Sequence, residues 1–149
     1  MTEKVLVPVD GSPLSMRALR VALAERSDAT VTALHVIDPS EPGYSYFGAD
    51  VDVRSEPRHG TDEWFERADG YERDLFAEAA DVAAEYDRPL ETVTLVGDPA
   101  RVIVDYVVDH GFDHVVLGSH GRGEDSHVTL GSVTEAVAFR APVRVSIVR

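Results

Sequence analysis

Five short runs in this chain are almost wholly apolar or β-branched. They are KVLVPV (Lys4 to Val9), TVTALHVI (Thr30 to Ile37), ETVTLV (Glu91 to Val96), HVVL (His114 to Leu117) and VRVSIV (Val143 to Val148). The last alternates Val143, Val145 and Ile147 with Arg144, Ser146 and Val148 and should form a sheet edge. A strand that reads as a nearly continuous apolar run is buried on both faces, which calls for helices above and below a parallel sheet. The segments between the runs supply them. Ser12 suits a helix N-cap and Pro13 the first helical position, so a helix is predicted to about Arg26 with Leu19, Ala22 and Leu23 inward. Gly97-Asp98-Pro99 repeats the device ahead of Val102, Ile103, Tyr106 and Val107, and Gly111 stops that helix. A long amphipathic helix is predicted from Trp64 to about Tyr86, and a last one from Gly131-Ser132. Strands alternating with helices imply right-handed βαβ units. The expectation is one doubly wound α/β domain over residues 1–149, with a five-stranded parallel sheet flanked by helices.

Charge narrows the partners. Asp and Glu number 27 against 14 Lys and Arg, a net charge of -13, and Lys4 is the only lysine. Nucleic-acid binding needs a basic footprint that is missing here, and anionic membranes would repel such a chain. Acids dispersed along the sequence with almost no lysine fit a salt-rich cytoplasm, where counter-ions screen self-repulsion. No apolar run approaches the ~20 residues of a membrane span. MTEKVLVPVD runs straight into a strand, which leaves no room for a signal peptide and makes a cytoplasmic location the expectation. Without cysteine, thiol catalysis and cysteine metal sites are excluded.

Two segments stand outside the alternation. Residues 38–61 form a long Pro- and Gly-rich connection in which Tyr44, Tyr46 and Phe47 suit a lid, a partner contact or simple packing. The other is GSHGRGEDSHVTLGSV, Gly118 to Val133. In an open parallel sheet ligands sit beyond the carboxyl ends of strands, where strand order reverses. The loops after the first and fourth runs are therefore the candidate site. Gly118 and Gly121 would allow close backbone approach or positive φ. Gly131-Ser132 would open a helix whose free N–H groups and dipole favour phosphate. Ser132-Val133-Thr134-Glu135 equally fits a capping box that needs no ligand.

Other chemistries find less support. His120 and His127 with Glu124 and Asp125 match no standard metal-ligand spacing. His35, His110 and His114 lie at strand or helix edges and read as packing or surface residues. Asp10 has no neighbouring nucleophile, and reads as a carboxylate that caps or holds a metal. A G-x4-G-K-[ST] loop, a G-x-G-x-x-G after the first strand and a G-x-S-x-G elbow are all absent from the sequence.

Gly118, Gly121, Gly131 and Ser132 fit the pattern G-x2-G-x9-G-[ST] without a gap, and VLVPVDGS, LHVID and VGDPA precede it in order. With these blocks the chain resembles the nucleotide-binding branch of the universal stress protein family over essentially its whole length. The resemblance implies an adenine nucleotide alpha-hydrolase-like fold and a bound ATP accompanied by Mg2+. Asp10 would lie near the ribose or a phosphate-bound metal, and Val36 would bond the adenine edge through its backbone. Pro8, Val9 and Leu117 would line the adenosine pocket. Gly118, Gly121 and Arg122 would flank ribose and phosphates, and Gly131, Ser132 and Val133 would hold phosphates at the helix start. It also implies a homodimer through Val143–Val148 and a stress-linked sensor or regulator. A slow metal-dependent ATP hydrolase and a nucleotide-free structural dimer are the alternatives. Glu124 and Asp125 depart from the family's usual basic or neutral residues. Because they repel a triphosphate unless turned away or holding a metal, AMP, ADP and metal-dependent ATP binding stay open.

Overall fold

The computed structural model describes residues 2–38, 61–119 and 131–149. All five expected strands form: β1 (Lys4–Pro8), β2 (Thr30–Ile37), β3 (Glu91–Val96), β4 (His114–Gly118) and β5 (Arg144–Val148). The helices are α1 (Pro13–Glu25), α2 (Asp62–Glu85), α3 (Pro99–Asp109) and α4 (Ser132–Arg140). The strands make one sheet in the order β3-β2-β1-β4-β5, with every pairing parallel. β5 is an edge strand, as its alternation of apolar and polar residues implies.

Element ends differ from the sequence reading by a residue or two. β1 ends at Pro8 and β4 runs on to Gly118, which pairs with Val148. β5 starts at Arg144 opposite His114, leaving Val143 outside the ladder. α2 begins at Asp62, ahead of Trp64, because the Thr61 side chain accepts from the Trp64 N–H at 3.3 Å. Asp62 and Glu63 then sit in the first turn, where the helix dipole favours them.

Alternation along β1 divides the core between the two faces. Val5, Val7 and Val9 pack with Leu19 and Leu23 of α1 and with Leu75 and Val82 of α2. Leu6 points the other way, into a cluster with Ile103 and Val107 of α3, Phe112, Leu117 and Val137 of α4. Val5, Leu6 and Val7 are wholly shielded from solvent, which is why the run shows no polar position after Lys4. Truncating a buried Leu of this kind costs about 2–5 kcal/mol.

The end of the sheet where the strands begin holds a small polar network. His114 is 2% exposed, with Nε2 2.7 Å from the Ser146 hydroxyl and Nδ1 3.4 Å from a Glu3 carboxylate oxygen. Arg144 reaches the same oxygen at 3.4 Å. Burial, reinforced by the charges of Arg26 and Arg144, pushes the imidazole pKa below its ordinary 6.5, against the opposing pull of Glu3. His35 is also buried, at 1% exposure. Both are thus packing residues: His114 opens β4, His35 lies toward the end of β2, these strands are covered on both faces, and polar partners make the burial tolerable. His110 is exposed and stacks on Tyr106 with ring centroids 4.1 Å apart. Lys4 donates to the His110 carbonyl at the end of α3, and its ammonium lies 4.6 Å from the centre of the Phe112 ring.

Candidate functional site

Strand order fixes where a ligand crevice can form. The chain moves from β1 outward through β2 to β3, then returns to the other side of β1 for β4 and β5. The order therefore reverses between β1 and β4, and their carboxyl ends diverge into loops heading for opposite faces. Pro8 closes β1 and Gly118 closes β4, which brings Pro8, Val9, Asp10, Leu117 and Gly118 to this one end.

The loop after β1 is tightly specified. Val9 donates its N–H to the Leu34 carbonyl at 2.8 Å, one step past the last ladder pair. Asp10 then folds the chain back: its Oδ1 accepts from the Ser12 N–H at 2.8 Å, a turn that requires Gly11 at φ +79°. Ser12 caps α1 by accepting from the Ser15 N–H at 3.2 Å, and the Ser15 hydroxyl donates back to the Ser12 carbonyl at 3.0 Å. The Asp10 N–H donates to the Ser15 hydroxyl oxygen at 3.3 Å, and its carbonyl accepts from the Tyr71 hydroxyl at 2.6 Å. Asp10 is thus a turn-forming carboxylate.

Register decides what Val36 presents. Leu34 bonds toward β1, and Ile37 bonds toward β3 by accepting from the Gly97 N–H at 2.9 Å. By alternation, the N–H and C=O of Val36 project toward the β1 side, beyond the point where β1 has ended at Pro8. A backbone donor and acceptor side by side in this place can read the edge of a planar heterocycle. The Val36 side chain packs with the cluster under α3 and α4.

The end of β4 and the start of α4 are joined directly. Gly131 donates to the Ser119 carbonyl at 2.8 Å, Ser119 donates to Val148 at 2.7 Å, and the buried Thr134 hydroxyl donates to the Gly118 carbonyl at 2.8 Å. These bonds set the α4 N-terminus against β4 and pin together the two ends of residues 120–130. The capping-box reading of Ser132 is overturned. Gly131 is the N-cap, at φ -63° and ψ 156°, no side chain bonds the cap, and Ser132 is already the first helical residue. Thr134, which a box would leave idle, is committed to Gly118 instead. The first N–H groups of α4, those of Ser132 and Val133 among them, thus have no side-chain cap.

Gly118 is a glycine for a reason the sequence does not show. It lies outside the described glycines with positive φ, and a Cβ built on it would come 3.0 Å from Leu14 Cβ, 3.1 Å from Leu14 C and 3.2 Å from Leu14 O. The first turn of α1 fills that space, so the close approach is to this helix. Gly121 and Arg122 lie outside the described residues, as do His120, Glu124, Asp125 and His127 and the aromatic residues Tyr44, Tyr46 and Phe47. Among the described residues no group of three His, Asp or Glu is placed to hold a metal ion. Sequence reasoning missed Tyr71, Ser15, Leu14 and Thr134. Ser15 alone carried a local signal, standing three residues after a capping Ser12.

Comparison with known proteins bears on the same features. The model of the universal stress protein family matches residues 1–149. Universal stress protein YxiE of Bacillus subtilis is 32% identical over 151 aligned positions, covering 100% of both chains. Among solved structures, universal stress protein UspA from Lactobacillus plantarum superposes with a TM-score of 0.68 at 28% identity, over 99% of this chain and 97% of that one. A universal stress protein in complex with cAMP superposes with a TM-score of 0.66 at 25% identity, again over 99% and 97% of the two chains. A five-stranded parallel sheet whose strand order reverses between the first and fourth strands, matched in sequence from end to end, places this chain in the universal stress protein family.

Proposed function

We propose that the chain binds an adenine nucleotide across the carboxyl ends of β1 and β4 and acts as a stress-linked sensor or regulator. The observation that carries this reading is the start of α4, held at the reversal of strand order by Thr134 and Gly131 yet lacking any side-chain cap. A helix start of this kind favours negative charge through its N–H groups and its dipole. Gly131, Ser132 and Val133 would face the phosphates. Val36 would read adenine with its backbone, Pro8, Val9 and Leu117 would line the adenosine, and Gly118, Gly121 and Arg122 would flank the sugar and phosphates. Asp10 would lie at the ribose or beside a phosphate-bound Mg2+. A universal stress protein solved in complex with cAMP, similar to this chain, supports an adenine nucleotide as the ligand class. ATP is the leading ligand, with AMP and ADP alongside it, and Mg2+ would travel with the triphosphate and offset Glu124 and Asp125. Nucleotide would act by favouring one conformation or partner through differential affinity.

The second part of the proposal is a homodimer through β5. On this edge Arg144, Ser146 and Val148 bond toward β4, so the backbone of Val145 and Ile147 projects outward and is available for pairing. Calorimetric titration of nucleotide-stripped protein with ATP and AMP, with and without Mg2+ in molar KCl, tests the site alongside Gly131→Asp. At the backbone angles of Gly131 an Asp supplies the missing cap, so the variant should fold at least as well as the parent while its carboxylate competes with phosphate. Saturable binding that Gly131→Asp loses is the expected result. Failure of every nucleotide to bind would refute the reading, and phosphate release above a protein-free control would move it toward an enzyme.

A further inference from the structure

The chain leaving β1 is held by groups that belong neither to the loop nor to α1. Two successive carbonyls, those of Val9 and Asp10, accept from side chains of β2 and α2. His35 Nδ1 lies 3.1 Å from the Val9 oxygen, and because a carbonyl only accepts, Nδ1 carries the proton. The Tyr71 hydroxyl donates to the Asp10 oxygen at 2.6 Å. The two rings meet edge to face, with centroids 5.9 Å apart at 64°. Tyr71 is the one member of this pair that comes from α2, and its ring packs against the core beneath that helix.

We infer that Tyr71 is a positioning residue for the ribose end of the nucleotide site, acting through Asp10. The inference rests on the nucleotide reading above and adds to it the element that sets ligand selectivity. The Asp10 carboxylate accepts from the Ser12 N–H and is otherwise oriented by its own backbone, whose N–H donates to the Ser15 hydroxyl and whose carbonyl accepts from Tyr71. Removing the phenol oxygen takes this bond from the Asp10 carbonyl, while Phe keeps the ring's packing. The carboxylate is then set less sharply for a ribose hydroxyl, and discrimination between ribose and deoxyribose falls. Helix α2 thereby has a direct mechanical link to the ligand loop.

The test is calorimetric titration of full-length protein and Tyr71→Phe with AMP and with 2′-deoxy-AMP, repeated in Asp10→Asn and in the double variant. The expected outcome is weaker AMP binding by Tyr71→Phe, on the order of fivefold for one well-placed hydrogen bond. Binding of 2′-deoxy-AMP should change much less, and the Tyr71 effect should shrink when Asp10 is already Asn. A merely structural Tyr71 would lower the melting temperature of the nucleotide-free protein and weaken both ligands equally, which would overturn the inference. Full additivity of the two substitutions would overturn it as well. If the parent binds AMP and Tyr71→Phe leaves the ratio unchanged, this inference alone fails. If the parent binds neither ligand, the nucleotide reading fails first and takes the inference with it.

Discussion

Replacing Gly118 by Ala should destabilise the protein although the residue lies in a strand and its φ is not the reason for a glycine. The new Cβ would meet Leu14 at Cβ, C and O, between 3.0 and 3.2 Å, and two of those atoms are backbone. Relief requires the first turn of α1 to move by a few tenths of an ångström, against the Ser12 cap that holds it. Overpacking of this kind costs about 1–3 kcal/mol. The loss of unfolded-state freedom on replacing glycine returns about 0.4–1 kcal/mol. The net expectation is roughly 1–2 kcal/mol of destabilisation. With an unfolding entropy near ~2.1 cal/mol/K per residue, a chain of this length should melt about 3–6 °C lower. Urea denaturation followed by circular dichroism measures it, with an unchanged m-value showing that stability alone has moved. Leu14→Ala supplies the sharper check, because it keeps all three contacted atoms and so should not rescue Gly118→Ala. A neutral Gly118→Ala, or rescue by Leu14→Ala, would refute the steric argument and return this glycine to the ligand.

Other outcomes follow from the same geometry. His114 has a folded pKa below 6.5, so as pH falls through that value the unfolded chain takes up the proton first and stability is lost. The stability of His114→Gln relative to the parent should therefore rise between pH 7.5 and 5.5, with a slope of at most ~1.4 kcal/mol per pH unit. Parallel urea curves would exclude it. Arg88 donates to the Leu23 carbonyl at 2.7 Å and also to the Ala29 carbonyl, tying the end of α1 to the entry of β2. Arg88→Met should cost about 1–3 kcal/mol in the same assay, less than two buried charged bonds because the side chain is half-exposed. Val145→Pro removes an outward N–H from the β5 edge and leaves the bonds to β4 in place. Sedimentation should show fewer dimers with melting little changed, and an unaltered dimer would place the interface elsewhere.

What the sequence made legible was local. Doubly buried strands write themselves as apolar runs, and Ser12-Pro13 and Asp98-Pro99 mark helix starts because cap and proline act within one turn. The topology followed from the order of those elements, and the sheet reverses between β1 and β4 as that order required. The rest was not legible because it depends on pairs remote in the chain. Tyr71 and Asp10 are 61 residues apart, and an amphipathic helix presents a tyrosine in the same way whether its hydroxyl meets a loop or water. Ser132 illustrates a finer failure. Gly131 and Ser132 can each serve as a cap, and the choice fell to Gly131 because Thr134 reaches back to Gly118 and draws the helix start forward.

The single lysine gives the molecule a chemical handle. Lys4 carries the only side-chain amine in the chain, and it sits where the strands begin, at the opposite end of the sheet from the start of α4. An amine-reactive dye or surface linker, run at a pH that spares or blocks the terminal amine, would attach at this one point. Immobilised there, every molecule would present the carboxyl ends of its strands outward in the same orientation. Acylation would also withdraw the ammonium from the His110 carbonyl and the Phe112 ring, so the labelling rate would report how firmly the end of α3 is closed.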